Sequence, residues 1–314
     1  MDKMRIVYMG TPAFAVAPLK ELIAAGANVV AVVTTADKPA GRGQQLAESA
    51  VKQYAKTLEV PILQPTNLKD PAFLDTLQSF NADLFIVVAF RMLPIEVWQM
   101  PTLGTFNLHG SLLPQYRGAA PINWAIINAE KETGVTTFFL KHQIDTGDII
   151  YQEKTNIEAN DTAGSMHDKL MEIGAHLVVK TWKSIETNTA PSISQEQILI
   201  QNNLSLSDIK HAPKIFKQDC LIDWNLPAAA ITAKIKGLSP YPAAYTSLSG
   251  LNLKIYEATI VNETHQLIAG NFETDGKTYL RFASKDAWVY LIDLQLEGKK
   301  RMRIEEFLRG WRMQ

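Results

Sequence analysis

The sequence predicts an α/β fold, a parallel-rich sheet with crossover helices, followed by a small β-barrel. Three observations carry this. Apolar strands alternate with amphipathic helical stretches as far as residue 185, the pattern of crossover connections. A polar segment without periodicity interrupts them at residues 187–206. Beyond it, short strands separated by turn signals dominate. The domains expected are 1–188, a linker at 189–206, and 207–314.

Residues 5–9 form a short apolar strand that ends at Gly10. Thr11 is placed to cap the helix that follows, whose apolar spacing is Leu19, Leu22 and Ile23. Pro18 marks its first turn, because a proline in mid-helix would break it. Gly10-Thr11-Pro12 is not a dinucleotide loop. The G-x-G-x-x-G pattern is missing, and Pro12 lacks a backbone donor that a phosphate would want. Residues 29–33, 61–63 and 84–88 read as further strands, with helical stretches near 48–58 and 71–79. An apolar segment from Gly104 ends in Asn107 and His109. A helix is expected at 120–129, then strands at 136–140 and 149–153 around a turn that carries Asp145. A long helix, 162–185, is capped by Thr162 or Asp161. After the polar segment come a helix near 227–236, strands at 245–248, 253–260, 279–283 and 288–294, and a short helix at 304–311.

Composition narrows the class. A chain of 314 residues suggests two domains, and 46% apolar with 20% charged residues is ordinary for a soluble protein. The net charge of −1 excludes a chain that is basic throughout, though not a local basic patch. Charge splits with the architecture: residues 1–206 carry a net −4 and residues 207–314 a net +3. No apolar run approaches the ~20 residues of a membrane span. The N-terminus runs straight into a strand without a signal-peptide core. A cytoplasmic protein is therefore expected. Cys220 is the only cysteine, so an internal disulfide and a cysteine-based zinc site are excluded. Cys220, Trp224 and Trp288 are expected in the core, and His142 and His167 as structural residues.

The stretch Asn107-Leu-His109-Gly-Ser-Leu-Leu-Pro114 carries the chemistry. Two residues apart on a strand, Asn107 and His109 face the same side. Together they could hold an oxygen that becomes negative during acyl transfer. They lie at the C-terminal end of a strand, where open parallel sheets bind ligands. Asp145, on the Asp145-Thr-Gly-Asp148 turn, is the natural orienting partner of the histidine and favours its charged form.

This stretch, with Tyr116-Arg-Gly-Ala-Ala-Pro-Ile-Asn-Trp124 and Asp145-Thr-Gly-Asp148, resembles the folate-dependent formyltransferases. The likeness runs nearly the whole length, through Gly10-Thr-Pro-Ala-Phe14, Asp37-Lys-Pro-Ala-Gly-Arg-Gly43, Gln64-Pro65, Ile222-Asp-Trp224, Pro240-Tyr-Pro242 and Gly298-Lys-Lys300. It is strongest toward the tRNA-directed branch. The resemblance implies a Rossmann-like catalytic domain and a C-terminal OB-type barrel that binds tRNA. It implies 10-formyltetrahydrofolate as formyl donor, no metal, and the α-amine of Met on initiator Met-tRNA as acceptor. No membrane and no protein partner are expected, and the chain is expected to be a monomer.

The resemblance also assigns residues. Asn107, His109 and Asp145 would be catalytic. Val88, Ala89, Phe90, Arg91, Met92 and Leu93 would lie nearest the pterin, and Ser111, Leu112, Leu113 and Pro114 would contact the folate. Phe90-Arg91 departs from many relatives, which carry a glycine here and are one residue longer. Lys38 and Arg42 sit on a glycine-flanked basic segment that would meet the tRNA acceptor end. Lys214, Lys217, Lys299, Lys300 and Arg301 are candidate phosphate contacts, nonspecific and salt-dependent. Two other readings stay open. One is a formyltransferase of the same fold acting on a small amine, such as an amino sugar. The other is a non-catalytic nucleic-acid-binding protein that uses the barrel alone. The Arg42 segment and second domain speak against a small-amine enzyme of the glycinamide ribonucleotide kind, which has no such domain, whereas an amino-sugar enzyme can have a similar barrel. The intact Asn/His/Asp set speaks against the second reading.

Overall fold

The computed structural model describes residues 3–40 and 45–311. They form two compact units. The first comprises residues 1–118, 134–155 and 167–211; the second comprises 119–133, 156–166 and 212–314.

The first unit is built on a seven-stranded sheet. Its strands are β1 (Arg5–Gly10), β2 (Asn28–Val33), β3 (Ile62–Leu63), β4 (Leu84–Val88), β5 (Thr105–His109), β6 (Glu132–Phe139) and β7 (Ile149–Asn156). The order across the sheet is β7-β6-β5-β4-β1-β2-β3. The pairs from β3 to β5 are parallel, and β6 joins β5 antiparallel. β1 and β4 are buried almost throughout, as fits strands covered on both faces. The order reverses beside β1, and open α/β sheets bind ligands at the C-terminal strand ends of such a switch point. Gly10 lies level with Val88, and Val88 with Leu108. The ends of β1, β4 and β5 therefore converge on one edge.

Gly10 is required by close packing. A Cβ there would stand 2.7 Å from Ala15 Cβ and 3.1 Å from the carbonyl oxygen of Val88. Helix α1 (Val16–Ala24) holds Pro18 in its first turn, as expected. Thr11 does not cap it. Its hydroxyl is buried without a hydrogen-bond partner among the described residues, because the 3-10 turn Ala13–Ala15 starts first, from Pro12. Helices α2 (Ala50–Ala55) and α3 (Pro71–Ser79) follow where expected, each with a side-chain cap, Ser49 and Asp70.

The long helix, Ala163–Glu186, is capped by Thr162, whose hydroxyl accepts from the Ser165 N–H at 3.2 Å. The segment expected as a linker contains a further helix, Gln195–Gln201, capped by Ser194. Leu199 is buried, and Ile198 packs on a cluster of Leu113, Phe138 and Ile149. The Asn- and Gln-rich composition hid this short apolar face.

The second unit is a six-stranded antiparallel sheet of the OB type. Its strands are β8 (Ala244–Leu248), β9 (Leu251–Val261), β10 (Phe272–Thr274), β11 (Leu280–Ala283), β12 (Trp288–Leu296) and β13 (Met302–Arg303). The register between β9 and β12 shifts on both sides of Glu257, and such bulges strengthen twist and bending. Trp224 stacks on Phe282 at 4.6 Å and donates its Nε1–H to Thr246 at 2.9 Å. Cys220 belongs to the same core, and Trp288 is buried with the Arg281 guanidinium over its ring. Helix Ala228–Leu238 lies against helix Pro121–Ile127. Gly237 allows the contact, since a Cβ would sit 2.9 Å from the carbonyl oxygen of Asn123.

Candidate active site

Asn107 and His109 end β5 on one side of the strand. Asn107 is half-buried and His109 is buried. The His109 ring meets Phe138 edge-on, 6.4 Å between centroids. Its Nε2 lies 2.9 Å from the carbonyl oxygen of Tyr116. A carbonyl only accepts, so Nε2 carries a proton in both charge states of the ring. The variable position is Nδ1, which faces Asp145 Oδ2 at 4.0 Å. That is too long for a direct hydrogen bond and leaves a gap bordered by a nitrogen and a carboxylate oxygen.

Asp145 is set by its turn. Its backbone is left-handed, with φ +55. Oδ2 accepts from the Gly118 N–H at 2.9 Å. Gly147 lies so close to β6 that a Cβ would stand 1.6 Å from the carbonyl oxygen of Phe139. Burial holds the Arg117 guanidinium below its ordinary pKa, opposed by the charge of Asp145.

The segment expected to contact folate is mostly scaffold. Ser111, Leu113 and Pro114 are buried, and Leu112 alone is half-buried. Ser111 donates to the carbonyl oxygen of Gln115 at 2.7 Å. Thr136 on β6 ties the segment down. Its hydroxyl donates to the Ser111 carbonyl oxygen at 2.6 Å and accepts from the Leu113 N–H at 3.1 Å.

The 88–93 stretch divides. The Val88 and Leu93 side chains lie in the core, so these two can offer a ligand only backbone. Ala89, Arg91 and Met92 are exposed and Phe90 is half-buried. Arg91 donates to the carbonyl oxygens of Thr66, at 2.9 Å, and Pro65. Arg91 thus clasps the Pro65-Thr66 segment, a role that composition did not signal.

Of the tRNA candidates, Arg42 lies outside the described residues. Lys38 is exposed on a short ribbon, Lys38–Ala40 with Gln45–Ala47. In the second unit, Lys214, Phe216, Lys217, Tyr241, Tyr245 and Lys254 line a groove of about 780 Å3. Phe216 and Tyr241 are 51% and 82% exposed there, with the Lys214 ammonium 5.5 Å over the Phe216 ring. Lys299, Lys300 and Arg301 are exposed. Arg301 is already bound to Asp293 at 2.7 Å and lies over the Tyr256 ring, and Lys300 pairs with Glu306 at 3.0 Å. Sequence reasoning missed the Tyr116 carbonyl, the Gly118 N–H and Gln195, all of which act through backbone positions or burial that no motif encodes.

An amide and an imidazole side by side at the C-terminal end of a sheet strand, backed by a carboxylate, form an arrangement that can hold an oxyanion in acyl transfer. Residues 4–181 match the formyl transferase family and residues 214–312 match its C-terminal domain, and the chain belongs to this family. It is 51% identical to a methionyl-tRNA formyltransferase of Bacteroides thetaiotaomicron, over 99% of this chain and 97% of that one. It is 53% identical to another of that name from Phocaeicola vulgatus, covering 98% and 96%. Solved structures share the fold at low identity. An N-formyltransferase from Helicobacter canadensis superposes with a TM-score of 0.64 at 21% identity, over 95% of this chain and 100% of that one. HypX from Aquifex aeolicus gives 0.66 at 16%, over 100% and 49%.

Proposed function

We propose that the chain transfers the formyl group of 10-formyltetrahydrofolate to the α-amino group of Met on initiator Met-tRNA, giving formylmethionyl-tRNA. The observation that carries it is the identity of half of all positions, over the full length, to proteins named methionyl-tRNA formyltransferase. The same reading has it working in the cytoplasm as a monomer, with residues 1–188 catalytic and 207–314 binding tRNA.

The bound donor would supply an activated one-carbon acyl group. Asn107 gives a side-chain N–H to the oxygen that gains charge as the amine bonds to the formyl carbon. His109, protonated, gives the second bond from Nδ1, since Nε2 is held by Tyr116. Removing one such donor typically costs about 10²–10³ in rate. Asp145, facing Nδ1 across the 4.0 Å gap, takes the amine's proton and returns it to the departing nitrogen as the old C–N bond breaks. Ala89 to Met92 and Leu112 would wall the folate, with Val88, Leu93, Ser111, Leu113 and Pro114 shaping the wall from behind. Lys38, Arg42, Lys214, Lys217 and Lys299 would meet tRNA phosphates. Lys300 and Arg301 would have to exchange their present partners to do so.

The test is incubation with labelled 10-formyltetrahydrofolate and either Met-tRNA or a panel of small amines, amino sugars included. Label should enter Met-tRNA. Label in an amino sugar and none in Met-tRNA would overturn the reading.

A further inference from the structure

Gln195 opens the helix Gln195–Gln201 and is 3% exposed. Its amide is used on both sides. Oε1 accepts from Nε and Nη2 of Arg117 at 3.0 and 2.6 Å. Nε2 donates to the carbonyl oxygens of Asp145 and Gly147 at 2.8 and 2.9 Å. Among side chains, only an uncharged amide presents an acceptor and two donors in this way.

From this geometry we infer that Gln195 is a positioning residue for Asp145, resting on the formyl-transfer reading above. Asp145 has a left-handed backbone, which an L residue holds only when its surroundings impose it. Gln195 supplies that restraint through the carbonyl oxygens of the turn. It also holds Arg117, the residue before the Gly118 N–H that grips the Asp145 carboxylate. One side chain therefore registers both the backbone that carries the carboxylate and the donor that orients it. The distance at stake is the 4.0 Å between Asp145 Oδ2 and His109 Nδ1. Displacement of a reacting group by about 1 Å can lower the rate on the order of 10²-fold.

Gln195→Glu is the discriminating variant. It keeps the size and the acceptor for Arg117, but sets an oxygen against two carbonyl oxygens. A side chain that merely anchors Arg117 would tolerate it. Gln195→Ala, which leaves room for water between the turn and Arg117, carries the same expectation as a second variant. Both should lower kcat by about 10- to 100-fold, with KM for Met-tRNA and for formyl donor near wild type. In an Asp145→Asn background, the added loss should shrink to less than about threefold, because coupled sites are not additive. Wild-type kcat in Gln195→Glu, or an equal loss in both backgrounds, would overturn the inference. A wild-type protein unable to formylate Met-tRNA would instead overturn the functional reading.

Discussion

The His109 ring is anchored by a backbone carbonyl: Nε2 lies 2.9 Å from the Tyr116 oxygen. That bond assigns the two ring nitrogens different work. Nε2 fixes the ring, and Nδ1 alone is left to meet substrate and Asp145. Asparagine's amide overlays Nδ1 and falls short of the Tyr116 carbonyl, so it keeps a neutral donor on the substrate side but loses both the anchor and the chargeable donor. His109→Asn should therefore lower turnover by about 10²–10³ and leave tRNA affinity near wild type. Single-turnover rates and equilibrium tRNA binding separate the two. A loss of binding that matches the loss of rate would contradict this role.

Gly147 tests how rigid the Asp145 turn is. The atom that its Cβ would strike, the Phe139 carbonyl oxygen, belongs to the backbone of β6, and the Phe139 N–H is bonded to the Asp148 carbonyl at 3.0 Å. Relief requires movement of the turn itself. Gly147→Ala should destabilise by about 1–3 kcal/mol or more, as overpacking does. It should also depress kcat by shifting Asp145. Thermal melts and steady-state kinetics on one preparation would show both effects, and a variant with wild-type Tm and kcat would mean that the turn is freely displaced.

Much of this site was legible beforehand because the residues that carry it follow strand periodicity. Asn107 and His109 alternate along β5, and the parallel sheet with crossover helices follows from β-α alternation. The helix Gln195–Gln201 was not legible. Its buried face is little more than Ile198 and Leu199, and its most informative residue is a glutamine, which composition assigns to solvent. Gln195 is buried because Arg117 and the Asp145 turn, distant in sequence, satisfy its amide. The 111–114 segment shows a different limit of the sequence: it follows β5 as expected, but tertiary packing turns three of its four side chains inward, which a local motif does not encode.

The root of the basic segment should respond to acid. Lys52 and Gln64 hold the Asp37 carboxyl below its usual range, chiefly through the hydrogen bond from Lys52. A carboxyl with a depressed folded-state pKa adds stability that is complete above the ordinary value of about 3.9 and fades as pH falls through the folded one. The stability difference between wild type and Asp37→Asn should therefore be level from pH 8 to about 5 and shrink below about pH 4. Denaturant midpoints across that range would show it. A difference that instead grows with acid would reverse the sign and remove Asp37 as the anchor.

Thr136 joins fold to site most economically. Its side chain is fully buried, and one hydroxyl serves three partners: the Ser111 carbonyl, the Leu113 N–H, and Gln152 Nε2 at 2.9 Å. Valine matches the shape but leaves a buried N–H and a buried carbonyl unpaired, each costing about 1–3 kcal/mol. Serine keeps the hydroxyl and loses one methyl, about 1 kcal/mol. Thr136→Val should thus be clearly less stable than Thr136→Ser. The loosened 111–114 segment should also raise KM for the formyl donor in the valine variant and leave KM for Met-tRNA unchanged. Equal denaturant midpoints for the two variants would mean that packing, not the hydroxyl, holds this segment against β6.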